Sequence, residues 1–368
     1  MKYDVILIGT GPPMLFEGLA IAEAGKKVIF VDQAAELGGA WRTPTVFGYR
    51  NVETGVHIIE NRRHLLRLLE TLLGPGALIK DPLDFGLVLK RRIPMRVARV
   101  LLYALAASKA LLRIDLDRSI HGAKNTMSAI GSLTVPLVYP VNGFAGVLAA
   151  LHERLCRVGA EFRFGTQIKS IRIDHDRVTA GTNFGDLFSS NLVMSSRAHA
   201  PIEGLEHLWR MTQSKTVPSV VLHLGAGRVR FDGYVEIFAD PFVKRVRNIT
   251  RFVSPAPAQG TALVTVQLRG PHTGTDDITL AGEIIERLQK LGLLAGGVTA
   301  AEVARKDVSV TTSSRSALAQ IGRTFPDRVT LLNTVDLSDR RHRVAQCDGA
   351  AENQRQRHTI LRKPHVCL

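Results

Sequence analysis

The order of apolar and polar positions at the start of the chain predicts a strand, a helix and a second strand. Lys2–Ile8 contains a continuous apolar run, which is typical of a strand buried on both faces. Residues 13–24 show helical periodicity, and residues 27–32 form a second apolar run that ends in an acidic residue. This β-α-β order predicts two parallel strands joined by a crossover helix.

The middle of the chain adds further elements to this unit. A helix is predicted at 146–158, followed by strands at 161–164, 168–173 and 192–194. The alternation of strands with one helix indicates a sheet layer built onto the first β-α-β unit. Residues 82–136, which lie between the two blocks, have a mostly helical pattern.

Beyond residue 215 the pattern changes to short apolar segments separated by Gly, Pro and Asp. These segments predict an antiparallel sheet with strands at 219–224, 234–238, 246–252 and 263–268. A helix is predicted at 280–291, a strand at 328–333 and a helix at 344–352. The fold class predicted from the whole pattern is therefore α/β, with a second region of antiparallel strands.

The composition is that of a globular protein. Of the 368 residues, 45% are hydrophobic and 22% are charged, and the length suggests two domains or one large elaborated domain. The cysteines Cys156, Cys347 and Cys367 are far apart and lack metal-ligand spacing, so neither a disulfide framework nor a zinc site is predicted. The lack of a disulfide framework fits a reducing cytosol, so we expect a cytoplasmic protein. No uncharged apolar stretch reaches the roughly 18 residues of a membrane span, so no membrane-spanning segment is predicted.

The net charge of +15 indicates an anionic partner. Basic residues concentrate at 90–99 and 340–363, and nucleotide sugars, phospholipid head groups and nucleic acid are all compatible with them. If residues 90–113 form a helix, five basic side chains fall within an arc of about 140°: Arg92, Arg96, Arg99, Lys109 and Arg113. Such a helix lies on an anionic membrane surface or packs on its own domain with its basic face in solvent.

A glycine-rich turn follows the first strand, with Gly9, Gly11, Pro12 and Met14 at its key positions. Gly9 permits a tight turn, and Gly11 lets backbone N–H groups approach a pyrophosphate, which the helix N-terminus also attracts. Asp32 follows about twenty residues later, where its carboxylate can accept hydrogen bonds from ribose hydroxyls. The spacing of these residues is that of a dinucleotide-binding unit.

The third glycine of the dinucleotide fingerprint is missing, because Met14 occupies its position. Glu17 brings a charge into the same helix. The missing glycine normally permits close packing of the helix on the strands. We therefore expect this helix to stand off from the strands or to tilt.

A second glycine pair, Gly38 and Gly39, comes shortly after the acidic residue, and Trp41 and Arg42 follow it. Adjacent glycines let the chain pass beside a second phosphate, and Arg42 can neutralise its charge. A plain nicotinamide-binding unit has no need of this pair. All four residues are candidates for cofactor binding, and Trp41 can also line a substrate cavity.

With these motifs the chain resembles the flavoprotein superfamily that includes amine oxidases, phytoene desaturases, protoporphyrinogen oxidase and UDP-galactopyranose mutase. The resemblance implies FAD as the cofactor, with Gly38 and Gly39 along its phosphates and ribitol. It also implies a discontinuous Rossmann-like FAD-binding domain with an inserted α+β substrate domain. We expect the first domain at 1–85, 140–212 and 303–360, the second at 86–139 and 213–302, and a basic tail at 361–368.

Other segments are similar to further motifs of the superfamily. Residues 55–59 resemble the Gly-x-His segment that lies against the isoalloxazine in the mutase branch, which makes His57 the candidate catalytic acid or base. A structural role for this histidine is the alternative. Residues 139–143 resemble a Tyr-Pro-x-x-Gly helix start, and Ile168 resembles the first residue of a strand whose backbone contacts the adenine.

At the C-terminus the resemblance is looser. Asp336 matches a carboxylate that holds a ribitol hydroxyl, but Val335 stands where the superfamily has glycine. Residues 348–351 approximate the start of a helix beneath the flavin. Val335 would crowd the close approach that glycine allows.

The resemblance implies an FAD-dependent oxidoreductase that acts on a small or lipophilic substrate at the interface of its domains, where the flavin accepts a hydride or electrons. One alternative is a mutase-like enzyme in which reduced flavin attacks the carbon of a nucleotide sugar. Three arginines suit its pyrophosphate: Arg245, Arg247 and Arg251. The other alternative is a non-catalytic binding subunit, which Met14, Glu17 and Val335 favour. We expect a small-molecule substrate and no specific nucleic acid.

Overall fold

The structure is a computed structural model that describes residues 2–332 except 58, 61–62, 81–84, 89–90, 95–96, 98–99, 101–103, 105–136, 196–200, 210–212, 226–227, 239, 271–274, 301, 307 and 313–314. These residues form two units. The first unit lies within Met1–Arg42, Val147–Lys215 and Ser309–Val366. The described residues of the second unit lie within Thr43–Gly146 and Thr216–Val308.

The helices and strands are numbered in chain order. The strands are β1 (Lys2–Ile8), β2 (Val28–Val31), β3 (Ile59–Glu60), β4 (Leu78–Lys80), β5 (Phe85–Val88), β6 (Arg91–Pro94), β7 (Leu137–Pro140), β8 (Glu161–Arg163), β9 (Ile168–Ile173), β10 (Val178–Thr182), β11 (Gly185–Ser195), β12 (Gln213–Val217), β13 (Ser219–Gly225), β14 (Tyr234–Ile237), β15 (Val243–Asn248), β16 (Thr261–Leu268), β17 (Glu302–Arg305), β18 (Val308–Thr312) and β19 (Val329–Leu332). The helices are α1 (Pro12–Glu23), α2 (Arg63–Leu73), α3 (Gly143–Arg157), α4 (Glu206–Trp209), α5 (Asp277–Lys290) and α6 (Arg315–Thr324).

The first unit is built on a mainly parallel sheet with the order β8-β2-β1-β11. On the side away from β1, β11 pairs with two strands. The first half of β11 pairs with the antiparallel strand β10, and the second half pairs with the parallel strand β19. β9 continues the sheet beside β10. Because β1, β2, β8, β11 and β19 run in the same direction, their carboxyl ends lie at one edge of the sheet.

The predicted β-α-β unit is confirmed. β1 has the predicted bounds, and β2 lies within the predicted segment, with Val5 beside Val28 and Ile8 beside Val31. Side chains of both strands are buried, as a continuous apolar run requires. α1 begins at Pro12, one residue before the predicted start, because proline suits the first position of a helix.

The second unit contains a seven-stranded sheet with the order β17-β13-β16-β15-β14-β5-β6. Neighbouring strands are antiparallel except for β14 and β5, which are parallel. Its apolar face packs against α5, where Leu280, Ile284 and Leu288 meet side chains such as Val235 and Val264. Burial of these side chains is the main force that holds α5 on the sheet.

The opposite face of this sheet carries polar side chains, because successive residues of a strand point to opposite sides. We call it the polar face and define it by Ser219, His223, Tyr234, Glu236, Arg245, Arg247, Thr265, Gln267 and Glu302. Pairing across β13, β16, β15 and β14 brings these residues together in rows. The antiparallel pairing of these strands confirms the antiparallel sheet predicted after residue 215.

The prediction of a mostly helical segment at 82–136 is wrong for its described beginning. β5 and β6 form an antiparallel hairpin there, and β5 pairs with β14. Pairing with a sheet edge supplies hydrogen bonds that override the local pattern. The predicted basic helix at 90–113 is wrong over Arg91–Pro94, and of residues 95–113 the structure describes only Val97, Val100 and Ala104, which are helical. The predicted membrane-surface contact stays a prediction.

The boundaries of the units differ from the expected domains. The first expected segment ran to residue 85, whereas the first segment of the first unit ends at Arg42, because residues 43–85 contribute strands to the second unit. β3, β7 and β4 form a small antiparallel sheet there.

Among the described residues, no helix is long and apolar enough to cross a membrane.

Candidate functional site

The turn between β1 and α1 leaves room for a ligand. Gly9 has a φ of 97°, a conformation that favours glycine, and its N–H donates to the Val31 carbonyl at 2.8 Å. Within the described residues, a Cβ atom added at Gly9 or Gly11 would meet nothing within 4 Å, and no side chain caps α1. The positive end of the helix dipole is therefore open to an anion such as a phosphate.

Two prolines limit the hydrogen-bond donors of this turn. Pro12 and Pro13 hold the first turn of α1 in a helical conformation, but neither has an N–H group. The first N–H groups of a helix are those that usually bind an anion. The Met14 N–H donates to the Gly11 carbonyl at 2.9 Å. A phosphate at this turn depends strongly on the Gly11 N–H and on the helix dipole.

Asp32 ties the glycine turn to the loop after β2. Its Oδ2 accepts hydrogen bonds from the Thr10 N–H at 2.7 Å and from the Thr10 hydroxyl at 2.5 Å. Its Oδ1 accepts a bond from the Ala34 N–H at 2.9 Å. An ionised carboxylate offers about four acceptor positions, so room is left for a ribose hydroxyl. Asp32 therefore has a structural role in addition to the predicted binding role.

The second glycine pair lies directly against the first turn. The Gly38 N–H donates to the Thr10 carbonyl at 3.0 Å, and a Cβ atom at Gly39 would lie 3.0 Å from the Gly11 Cα atom. A Cβ atom at Gly38 would lie 2.6 Å from the Leu148 Cδ1 atom. Both glycines have a positive φ, 115° and 52°. Gly11 and Gly38 are 27 positions apart in the sequence, yet the two glycine motifs lie against each other. We call the backbone surface formed by Gly9, Gly11, Gly38 and Gly39 the glycine cradle.

The remaining candidates of the first unit lie around this cradle. Trp41 is half-buried at the end of a short 3-10 helix, and the next residue, Arg42, is exposed. The Asp32 N–H donates to the carbonyl of Arg163, the last residue of β8, at 3.0 Å. The chain continues from there to Ile168, the first residue of β9, which is half-buried. The segment leading to Ile168 therefore starts beside the carboxylate predicted to bind ribose.

The expectation that α1 stands off from the strands is wrong. Met14 is buried, and the close contact is made one turn later by Gly18. A Cβ atom at Gly18 would lie 2.1 Å from the Phe30 Cζ atom and 3.0 Å from the Leu7 Cδ2 atom. Gly18 thus performs the packing that the fingerprint assigns to its third glycine.

The C-terminal candidates lie outside the described residues. They are Val335, Asp336 and residues 348–351. The strand that precedes them, β19, is parallel to β11 and ends at the same sheet edge as β1 and β2. Their predicted contacts with a ribitol hydroxyl and a flavin stay predictions.

The second unit contains a buried carboxyl that sequence reasoning missed. Glu53 accepts hydrogen bonds from the Tyr139 hydroxyl and, at 3.0 Å, from the Phe144 N–H at the start of α3. Arg247 is completely buried, with its guanidinium 3.9 Å from the centre of the Tyr139 ring. Burial raises the pKa of the Glu53 carboxyl, although both hydrogen bonds and the Arg247 charge act in the opposite direction. We call Glu53, Tyr139 and Arg247 the buried charge cluster.

His57 lies four residues after this glutamate. Its ring packs edge-on against Phe144, with centres 5.3 Å apart. A Cβ atom at Gly55 would lie 2.5 Å from the His57 Nε2 atom, so glycine makes room for the imidazole. The Thr265 hydroxyl donates to the Glu53 carbonyl at 2.5 Å and holds this segment on the polar face. The segment that leads to the candidate catalytic histidine is therefore held by hydrogen bonds to both the side chain and the backbone carbonyl of Glu53.

The three arginines predicted to suit a pyrophosphate do not have the same environment. Arg247 is 0% exposed, so the expectation that it contacts such a substrate is wrong. The Arg245 Nε–H donates to the Gln267 side chain, and burial lowers the pKa of Arg245. Arg251 is exposed, with its guanidinium 4.6 Å from the centre of the Phe252 ring. The mutase alternative loses one of the side chains on which it rested.

Comparison with known proteins supports the fold. No protein-family model matches the chain, and no curated protein matches it in sequence. Reduced UDP-galactopyranose mutase matches with a TM-score of 0.64 and 12% identity, over 89% of this chain and 88% of that protein. PF1083 from Pyrococcus furiosus matches at 0.62 and 12%, over 91% of both chains. A putrescine oxidase variant redesigned in cofactor binding matches at 0.59 and 13%, over 90% and 92%. The chain has the amine oxidase-like fold that these proteins share.

At these identities the likeness shows the amine oxidase-like fold and not the activity. The described residues fit the adenosine diphosphate half of FAD. Gly9, Gly11, Gly38 and Gly39 form an open backbone cradle beside a helix N-terminus, and Asp32 keeps acceptor capacity for a ribose. The donors missing at the two prolines limit the strength of this fit, but the shape and charge of the cradle agree with it.

Sequence reasoning missed three residues of these sites. Thr10 follows a glycine and carries a hydroxyl that can reach the acidic residue after β2, so the motif itself contained this signal. Gly18 gives no such signal, because the same helix also contains the small residues Ala20 and Ala22. Glu53 is a carboxylate between the apolar residues Val52 and Val56, and such a position is a sign of a buried polar interaction.

Proposed function

We propose that the protein is an FAD-dependent oxidoreductase that acts on a small or lipophilic substrate. The observation that carries this proposal is the single cradle formed by the two glycine motifs and Asp32. A nicotinamide-binding unit needs the first glycine turn but not the second. When bound, FAD supplies the acceptor for a hydride or for electrons.

The residues of the chain have distinct roles in this proposal. Gly11 and the N-terminus of α1 bind the pyrophosphate, and Arg42 neutralises part of its charge. Gly38 and Gly39 let the backbone approach the next phosphate and the ribitol. Asp32 orients the ribose by accepting its hydroxyl hydrogen bonds.

Further roles rest on the resemblance to the superfamily and on the placement of single residues. Ile168 offers its backbone to the adenine, Asp336 accepts from a ribitol hydroxyl, and Trp41 packs beside the cofactor. His57 holds or accepts a proton at its imidazole, and the Glu53 segment keeps that ring in position.

A non-catalytic role is the second candidate, and the two prolines of α1 favour it. Each removes a donor from the anion-binding turn, so weak FAD binding is the natural consequence. In that case the chain keeps the fold as a binding subunit. FAD affinity separates the two candidates.

Replacing Asp32 with alanine is expected to weaken FAD binding about tenfold or more, because a charge-assisted hydrogen bond contributes roughly 1.5–3 kcal/mol. Fluorescence titration of the purified chain with FAD measures the effect. Thr10→Val is the matched control, since it removes one hydroxyl bond to Asp32 and leaves the carboxylate in place. Thr10→Val is expected to change FAD affinity less than Asp32→Ala does.

Two outcomes of this experiment contradict the assignment of Asp32. Unchanged FAD affinity in Asp32→Ala means that the carboxylate does not bind the ribose. An equal loss in both variants means that Asp32 only shapes the turn. Thermal melting of each variant shows whether the first unit is still folded when FAD is added.

A further inference from the structure

Three helical positions shortly after β6 expose apolar side chains. Val97, Val100 and Ala104 are spaced by three and four residues, which places them within an arc of about 60° on a helix. Val97 is 43% exposed, Val100 is 46% exposed, and Ala104 is exposed as well. We call these three residues the apolar stripe. Aliphatic groups on one side of these helical turns therefore face solvent.

A helix that packs on its own domain buries its apolar side chains. α5 does so, because Leu280, Ile284 and Leu288 are at most 1% exposed against the seven-stranded sheet. The valines of the apolar stripe keep more than two fifths of their surface accessible. If the basic segment packed on its own domain with its charges in solvent, these valines would be buried. Their exposure argues against that alternative and favours a contact with a partner.

The sequence around the apolar stripe is strongly basic. Residues 85–114 contain neither Asp nor Glu. They contain seven basic residues, which are Lys90, Arg91, Arg92, Arg96, Arg99, Lys109 and Arg113. Arg96 directly precedes Val97 and Arg99 directly precedes Val100, and neighbouring Cα atoms are about 3.8 Å apart. Positive charges therefore accompany the exposed valines along the chain, and a matching partner is anionic.

We propose that the apolar stripe and the basic residues beside it form a contact surface for an anionic phospholipid bilayer. Val97 and Val100 enter the boundary between head groups and acyl chains, where burial of their exposed area is favourable. Arginine carries its charge on a long aliphatic stem, so Arg96 and Arg99 reach lipid phosphates while their stems follow the apolar boundary. Duplex nucleic acid also attracts the arginines, but it offers the valines no apolar layer.

This contact goes beyond the proposed function, since no step of it involves the flavin. The apolar stripe belongs to the second unit, whereas the glycine cradle belongs to the first. Vesicle binding is measured on the full chain without added FAD. Failure of vesicle binding therefore leaves the FAD proposal standing, and failure of FAD binding leaves the membrane contact standing.

Cosedimentation of the full chain with lipid vesicles tests the contact. Vesicles of phosphatidylcholine with about 30% phosphatidylserine are expected to bind the chain at low salt, and pure phosphatidylcholine vesicles about tenfold more weakly or worse. Binding to the anionic vesicles is expected to weaken as salt screens the charges. This arm of the test uses the wild-type chain, so it does not depend on the folding of any variant.

Serine substitutions test the apolar stripe itself. Val97→Ser combined with Val100→Ser is expected to weaken vesicle binding about tenfold, because less apolar area can leave water. Phe184→Ser combined with Ile278→Ser is the matched control. It also removes two exposed apolar side chains, which lie in the turn between β10 and β11 and in α5, and it is expected to leave binding unchanged.

Neutral substitutions test the charges in the same way. Each Lys or Arg near an anionic surface raises the binding constant about fivefold, so Arg96→Gln combined with Arg99→Gln is expected to weaken binding about 25-fold. Lys169→Gln combined with Arg172→Gln removes two exposed basic residues from β9 and serves as the control. The control is expected to change binding much less. Thermal melting shows that each variant is folded.

Four outcomes overturn the proposal. The first is a wild-type chain that does not sediment with anionic vesicles at low salt. The second is unchanged binding in folded Val97→Ser/Val100→Ser, which means that charge alone attracts the chain, as it would to any polyanion. The third is an equal loss in each double variant and its control. The fourth is a chain that leaves vesicles unbound and instead self-associates through the two valines in analytical ultracentrifugation.

Discussion

Replacing Arg247 with methionine is expected to lower the free energy of unfolding by about 1–3 kcal/mol at neutral pH, because the buried Glu53 carboxyl then loses the positive charge that favours its ionised form. Arg247 is completely buried between the rings of Tyr139 and Tyr234. Its charge acts on Glu53, which is also buried. Methionine has a similar length, so the loss reports mainly on charge and not on a cavity.

The pH dependence of this loss identifies Glu53 as the partner. Burial raises the pKa of Glu53 above its ordinary value of 4.5, so the folded chain binds this proton more tightly than the unfolded chain. The associated stability is present at low pH and is lost as pH rises from 4.5 through the folded pKa. Removal of the Arg247 charge raises that pKa further. The difference between wild type and Arg247→Met is therefore expected to widen as pH rises.

Urea unfolding across this pH range measures the effect, and two further variants make it specific. Arg251→Met is the matched control, because Arg251 is exposed and its loss is expected to change stability by less than about 0.5 kcal/mol. Glu53→Gln combined with Arg247→Met removes both charges and is expected to recover most of the stability. A loss in Arg247→Met no larger than that in Arg251→Met contradicts the buried charge cluster.

Replacing Gly18 with alanine is expected to destabilise the first unit by about 1–3 kcal/mol, because it overpacks the contact between α1 and the strands. The added Cβ atom would lie 2.1 Å from the Phe30 Cζ atom. Phe30 is completely buried, and its ring stacks on Phe162 at 4.8 Å, so it cannot easily move away. A glycine-to-alanine change at an exposed position inside a helix normally stabilises the protein by about 1 kcal/mol.

Gly282 provides the control for this change. It lies inside α5, is exposed, and has no described atom within 4 Å of an added Cβ. Gly282→Ala is expected to stabilise the chain, so the two glycine-to-alanine variants should have opposite signs in urea unfolding. Phe30→Leu in the Gly18→Ala background is expected to restore part of the loss. Equal stabilisation by both alanines would mean that Gly18 does not make the close contact.

The parts of the fold that sequence predicts well are those with a local signal. β1 and β2 are continuous apolar runs, and the residues that surround them, Gly9 and Asp32, have a fixed spacing along the chain. The short predicted strand at 192–194 is in fact the end of β11, an eleven-residue strand. Polar residues in its first half hide the pattern, but pairing with β1 and β10 keeps that half extended.

The parts that sequence does not predict depend on contacts between distant residues. Glu53 is 86 residues from Tyr139, and Arg247 is more distant still, so no local pattern links them. The hairpin of β5 and β6 exists because β14, far along the chain, offers an edge. Gly18 can be recognised as a packing residue only when Phe30 is known to lie above it.

Titration of the purified wild-type chain with FAD, and separately with FMN, tests the central claim most directly. The cradle binds the adenosine diphosphate half of the cofactor, which FMN lacks, so FAD is expected to bind saturably and FMN is not. Quenching of flavin fluorescence gives the affinity, and thermal melting shows that the chain is folded. A folded chain that binds neither flavin, or that binds both equally, contradicts the account.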